Sequence, residues 1–225
     1  MHKKLIFFDV DGTLYDNNLK LIHPSTVLAL KALKDKGHEL VIASGRAYFM
    51  LYSIEEIKAL FDHFVLINGQ FIMANGKVIY EDTIEKAKID ALIKTMIELK
   101  ITYGFESSAT EAISEINDRV KGTFAEMDLN LPPENKNLHE KEKIYQMWCF
   151  GSSEAIEILA KKHPDFAFIK WLTSGYDIIK KGQSKGKGIK YLSDYLGFAK
   201  EDLIAFGDGD NDIEMMENVG VSIAM

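Results

Sequence analysis

Residues 5–14 read LIFFDVDGTL, an apolar run from Leu5 to Phe8 that stops on two aspartates, Asp9 and Asp11, before Gly12 and Thr13. In a strand, residues two apart point to the same side, so these carboxylates share a face. Two like charges that close repel unless a cation lies beside them. The stretch therefore reads as a strand whose carboxyl end calls for a cation, and the rest of the chain has to supply or bind it.

Outward from that strand, the first 80 or so residues alternate strand-like and helix-like segments. PSTVLALKALKDKG has helical apolar spacing, with Pro24 at its start and Gly37 at its end. ELVIAS reads as a second strand, RAYFMLYSIEEIKAL as a helix and HFVLIN as a third strand. Apolar strands without polar alternation, separated by helices, imply a parallel sheet covered on both faces. FIMANGKVIYE then places Asn75-Gly76 between two apolar runs, a hairpin signal.

From about residue 83 the texture changes to a helix, EKAKIDALIKTMIELK, and shorter alternating runs: KIYQMWCF, FAFIKW and YDIIKK. The helix SEAIEILAKKH and a polar stretch, LPPENKNLHEKEK, lie between them. This implies an α+β insert with a largely antiparallel sheet. The α/β rhythm returns with helix SKGKGIKYLSDYL, strand LIAF, helix NDIEMMENV and strand VSIAM. The expected architecture is α/β: a Rossmann-like, doubly wound parallel sheet core, 1–82 and 182–225, with an inserted α+β cap domain over 83–181. The apolar strand at the end of the sequence suggests further core elements beyond it.

With 225 residues, the chain can bury a full core. Its net charge of −7 argues against nucleic acid, whose phosphates call for basic surfaces. The single cysteine, Cys149, excludes an internal disulfide and fits a reducing compartment. No run approaches the ~18 apolar residues that span a bilayer. Aspartates within the first apolar run rule out a signal peptide. The expectation is a cytoplasmic protein, a monomer or small homo-oligomer, with no membrane or nucleic-acid partner.

In open α/β sheets ligands bind outside the carboxyl ends of the strands. After the expected strands come DVDGT; SGR, Ser44 to Arg46; NGQ, Asn68 to Gln70; and GDGDND, Gly207 to Asp212. The aspartates form an all-oxygen donor set that suits Mg²⁺, and the histidines lack zinc-site spacing. An EF-hand starting at Asp208 fails, because Ile213 and Val219 stand where Gly and Glu are needed. A Walker A loop fails at Gly188, where Ser or Thr is required. Lys185 remains, at the start of an expected helix where anions are favoured. With such cations, Asp9 can attack a phosphoryl group and form an aspartyl phosphate. Asp11 can protonate the leaving oxygen and later deprotonate water. Gly12 permits a tight turn, and Ser44 can donate to a phosphate oxygen.

DVDGTL, SGR, SKGKG and GDGDND, in this order, resemble the four motifs of the haloacid dehalogenase (HAD) superfamily of phosphohydrolases. The Asn-Gly after the third strand, the insert and GDGDNDIEMM resemble its Cof-type branch. The resemblance implies Asp9 as nucleophile and Asp11 as acid/base. Mg²⁺ would be held by Asp9, the backbone carbonyl of Asp11 and Asp208, with Asp212 bracing the metal site. Ser44, beside Gly12 and Gly45, and Lys185 would bind the phosphoryl group, with Asn211 next to it. The implied function is a Mg²⁺-dependent phosphatase acting on small phosphate esters such as sugar phosphates or phosphorylated cofactors. The alternatives are a phosphomutase or phosphotransferase using the same phosphoaspartate, and a non-enzymatic phospho-acceptor module. Trp171 and Tyr176 are candidates for substrate selection in the cap. Arg46 reads as a ligand or as half of a structural ion pair; Asp210 reads as solvent-facing or as a cap rather than a metal ligand.

Overall fold

The computed structural model describes residues 2–126, 129–170 and 175–225. The chain divides into two compact units, Met1–Asp82 with Gln183–Met225, and Thr83–Gly182. The first unit opens with β1 (Leu5–Phe8), fully buried as its apolar run requires, then α1 (Pro24–Asp35) and β2 (Glu39–Ala43). The expected helix at 46–60 is instead a 3₁₀ segment, Tyr48–Ile54, followed by one α-turn, α2 (Glu55–Lys58). Leu51 leaves helical geometry there (φ −81°, ψ 25°), and the Arg46 guanidinium donates to the Met50 carbonyl at 3.0 Å. β3 (His63–Leu66), β4 (Phe71–Ala74) and β5 (Lys77–Glu81) follow, the last two joined at Asn75-Gly76.

The second unit holds α3 (Lys86–Glu98), β6 (Thr102–Glu106), β7 (Glu111–Ile113) and α4 (Asp118–Glu126). It continues with β8 (Gln146–Phe150), α5 (Ser153–Lys162), β9 (Phe166–Lys170) and β10 (Gly175–Lys180). Its sheet runs β7-β6-β8-β10-β9, antiparallel at every pairing. Met147, Cys149, Phe105 and Ile178 pack on one face with Leu92 and Met96 of α3 and Leu159 of α5. Tyr176, partly buried, packs against this cluster. Trp171 lies outside the described residues. Sequence patterning did not pick out β6, β7 or α4. Gly104 interrupts the β-rich run of β6, and Gly122 breaks the helical spacing of α4.

The chain re-enters the first unit through α6 (Lys185–Leu196), β11 (Leu203–Gly207), α7 (Ile213–Glu217) and β12 (Val221–Ala224). The sheet order is β12-β11-β1-β2-β3-β4-β5, with β12 to β3 parallel and β4 and β5 antiparallel. β1 is the central strand from which the order departs both ways, the switch point at which open α/β sheets bind ligands. The ends of β1, β2, β3 and β11 therefore face one crevice. Among the described residues, no helix is long and apolar enough to cross a membrane.

Candidate active site

Asp9 directly follows β1, and its N–H donates to the Phe206 carbonyl at 3.0 Å, which pins it beside the end of β11. Its side chain is buried. Lys185, the first residue of α6, reaches it across the crevice: Nζ donates to Asp9 Oδ1 at 2.6 Å and to Asp212 Oδ1 at 2.7 Å. Lys185 is 1% exposed and Asp212 0%. The other oxygen of Asp212 accepts from the Asp208 and Gly209 N–H groups, each at 3.1 Å. Asp212 is thus fully engaged and braces the loop after β11. Burial, helped by the Asp212 charge and opposed by Lys185, pushes the Asp9 carboxyl up to about 6. Burial opposes the Lys185 ammonium, but the two carboxylates outweigh burial and raise its pKa.

Asp11 faces elsewhere. Its two oxygens accept from Arg46 Nε at 2.8 Å and Nη2 at 2.6 Å, a bidentate fork. Ser44, after β2, is buried, and its N–H donates to the Val65 carbonyl at 2.9 Å. The Ser44 hydroxyl oxygen accepts from the Arg46 N–H at 3.2 Å. Gly12 has φ +79°, a conformation that favours glycine, and a Cβ there would lie 2.2 Å from Asp208 Oδ2, so Asp208 would have to shift. Thr13 Oγ1 donates to Asp208 Oδ1 at 3.1 Å. Asn211 and Asp210 are exposed on the short 3₁₀ turn Asp210–Asp212.

Carboxylate oxygens of Asp9, Asp208 and Asp212 all lie within 4.8 Å of one another. A donor set made only of oxygens, with Asp208 exposed at its mouth, fits a hard divalent cation such as Mg²⁺. The Asp11 carboxylate is not part of this group. Chemically, the crevice offers a buried carboxylate, a buried ammonium at helix α6's N-terminus and a neutral hydroxyl, suited to an oxyanion.

A profile of haloacid dehalogenase-like hydrolases matches residues 6–225. The chain belongs to this family. The hydrolase is 33% identical over 227 residues to the putative phosphatase YkrA of Bacillus subtilis, covering 100% of this chain and 87% of the relative. It is 26% identical to the 5-amino-6-(5-phospho-D-ribitylamino)uracil phosphatase YitU of Bacillus subtilis, covering 98% of this chain and 86% of that one. Among solved structures, the HAD subclass IIB sugar phosphatase BT4131 superposes with a TM-score of 0.86 at 27% identity, covering 99% of this chain and 87% of that one. These matches make the hydrolase a phosphatase of its family.

Three contacts in this hydrolase escaped the sequence reading. The Arg46–Asp11 fork joins residues 35 apart. Thr13 bonds to Asp208 across 195 positions. Lys185 touches Asp212 as well as Asp9. The presence of only two arginines was a faint signal for the first. The other two had none beyond proximity to a motif.

Proposed function

We propose that this hydrolase releases inorganic phosphate from small phosphorylated metabolites, sugar phosphates or phosphorylated cofactors, through an aspartyl phosphate on Asp9 and with Mg²⁺. The observation that carries the reading is the dry contact of Lys185 with Asp9 at 2.6 Å. A carboxylate meant to attack an anionic phosphoryl group needs fixed positive charge at that place. In the first half-reaction an Asp9 oxygen bonds to phosphorus, the ester P–O bond breaks, and Asp11 gives its proton to the leaving oxygen. In the second, Asp11 takes a proton from water, whose oxygen bonds to phosphorus and frees Asp9. Ser44 and Lys185 hold the transferring group, with Gly12 and Gly45 leaving room at the loops and Asn211 beside it. Arg46 orients Asp11. Held by Asp9, Asp208 and the Asp11 backbone carbonyl, Mg²⁺ would neutralise charge on the phosphoryl oxygens.

The substrate classes follow the phosphatases named above, and the insert is assigned the choice among them. The buried single cysteine, Cys149, fits a cytoplasmic location. The test is phosphate release from a panel of phosphorylated metabolites, with and without Mg²⁺, using Asp9→Asn as the blank. Mg²⁺-dependent release is expected, reduced more than ~10³-fold in a folded Asp9→Asn protein. Substantial turnover by that variant would remove Asp9 as nucleophile; an isomeric sugar phosphate without free phosphate would make the enzyme a mutase.

A further inference from the structure

The NGQ cluster after β3 has no part in the mechanism above, yet it carries the longest run of left-handed backbone among the described residues. Ile67, Asn68 and Gly69 have φ of +50°, +52° and +85°, three left-handed residues in a row. A β-branched residue such as Ile67 rarely adopts this conformation, and such outliers cluster where a site demands them. Ile67 is 0% exposed, so the surrounding packing holds it there.

The turn touches both phosphate-facing loops. On one side, the Ile67 N–H donates to the Arg46 carbonyl and the Asn68 N–H to the Ser44 carbonyl, each at 3.2 Å. The Asn68 amide sits 3.2 Å from where a Cβ on Gly45 would stand. On the other side, Gly69 lies against the start of α6: a Cβ on it would fall 2.2 Å from the Ser184 carbonyl oxygen. Ser184 caps α6 and immediately precedes Lys185. Gly188, one turn along, is packed as closely, its own Cβ position lying 2.8 Å from the Gly69 Cα.

We propose that Asn68 and Gly69 are positioning residues, and that the left-handed turn Ile67–Asn68–Gly69 sets the separation of Ser44 from Lys185 around the phosphoryl group. The inference rests on the phosphatase reading above. The backbone of the turn reaches both groups, Ser44 by a hydrogen bond and Lys185 by a carbonyl that admits no side chain. A grip on the transition state depends on that separation more than initial substrate binding does.

The test compares kcat, KM and inhibition by orthovanadate, a mimic of the five-coordinate phosphorus, in the Mg²⁺-loaded enzyme. Gly69→Ala is expected to lower kcat by about 10- to 100-fold and to weaken vanadate in parallel, with KM changed less than about threefold. Asn68→Gly, which keeps the left-handed backbone and its N–H, stays within about threefold of the wild type, and Asn68→Val loses about tenfold. If Gly69→Ala does not fold, by circular dichroism and urea unfolding, the Asn68 pair decides. Normal kcat and vanadate binding in folded Gly69→Ala, or equal losses in Asn68→Gly and Asn68→Val, would overturn the proposal while leaving the phosphatase reading intact. A wild type that releases no phosphate would overturn both.

Discussion

Two ion clusters flank the end of β1, and their shortest contacts are equal: Lys185 Nζ to Asp9 Oδ1 and Arg46 Nη2 to Asp11 Oδ1 are both 2.6 Å. They differ in their access to water. Lys185 is 1% exposed, whereas the Asp11 side chain is 39% exposed. An ammonium between two dry carboxylates is held by charges that water does not screen, and its loss would strand both. The guanidinium fork over Asp11 is geometrically at least as good, yet solvent competes for every bond. Distance therefore does not rank these contacts; burial does. Under the proposed mechanism the difference would also divide the labour: the dry cluster would maintain a fixed charge pattern around Asp9, and the wetter pair would hold the carboxylate that exchanges protons with substrate and water.

The largest effect is expected for Lys185→Met, which keeps the volume and removes the charge. In metal-free protein it should destabilise the fold by about 3–5 kcal/mol, read from urea unfolding, because Asp9 and Asp212 stay buried without their cation. Turnover should vanish with it. Adding Asp9→Asn and Asp212→Asn to Lys185→Met should recover most of the stability and none of the activity. A loss below about 1 kcal/mol for the single variant would break the comparison, since that is the scale of an exposed pair.

Arg46→Ala comes next. Its stability cost should be about 1 kcal/mol or less and should shrink in molar salt, where the Lys185→Met cost should persist. Turnover should fall about tenfold as Asp11 loses its orientation. A salt-independent loss as large as that of Lys185→Met would mean that the fork is buried in solution, and the contrast would disappear.

The same contrast explains which parts of the site were legible in the sequence. DVDGT, SGR, NGQ and GDGDND each follow an apolar strand, and that local grammar is enough to bring them to one crevice in a parallel sheet. Pairing is not local. Nothing in the spacing joins Arg46 to Asp11, or makes Lys185 serve Asp212 as well as Asp9. Helical apolar spacing predicts a helix over 46–60 but does not separate the 3₁₀ turns of Tyr48–Ile54 from the α-turn Glu55–Lys58; a side chain outside the 3₁₀ segment, Arg46, binds the Met50 carbonyl. The left-handed backbone at Ile67 was equally hidden, since an isoleucine at that position signals a strand.

The smallest effect is expected two residues along α6, at Lys187. SKGKG carries two lysines two residues apart, Lys185 and Lys187, and helix geometry separates them: two steps rotate a side chain about 200°, to the opposite face. Lys187 is accordingly exposed, and its N–H takes the Ser184 cap at 3.1 Å, a bond that needs no lysine side chain. Lys187→Ala should change stability by less than about 0.5 kcal/mol and leave kcat and KM unchanged. Placed beside Lys185→Met, it asks whether a positive charge anywhere near the N-terminus of α6 serves the site, or only one held dry between Asp9 and Asp212. A clear loss of phosphate release in Lys187→Ala would favour a diffuse field over the buried contact, and would weaken the case for Lys185 more than any variant of Asp11 could.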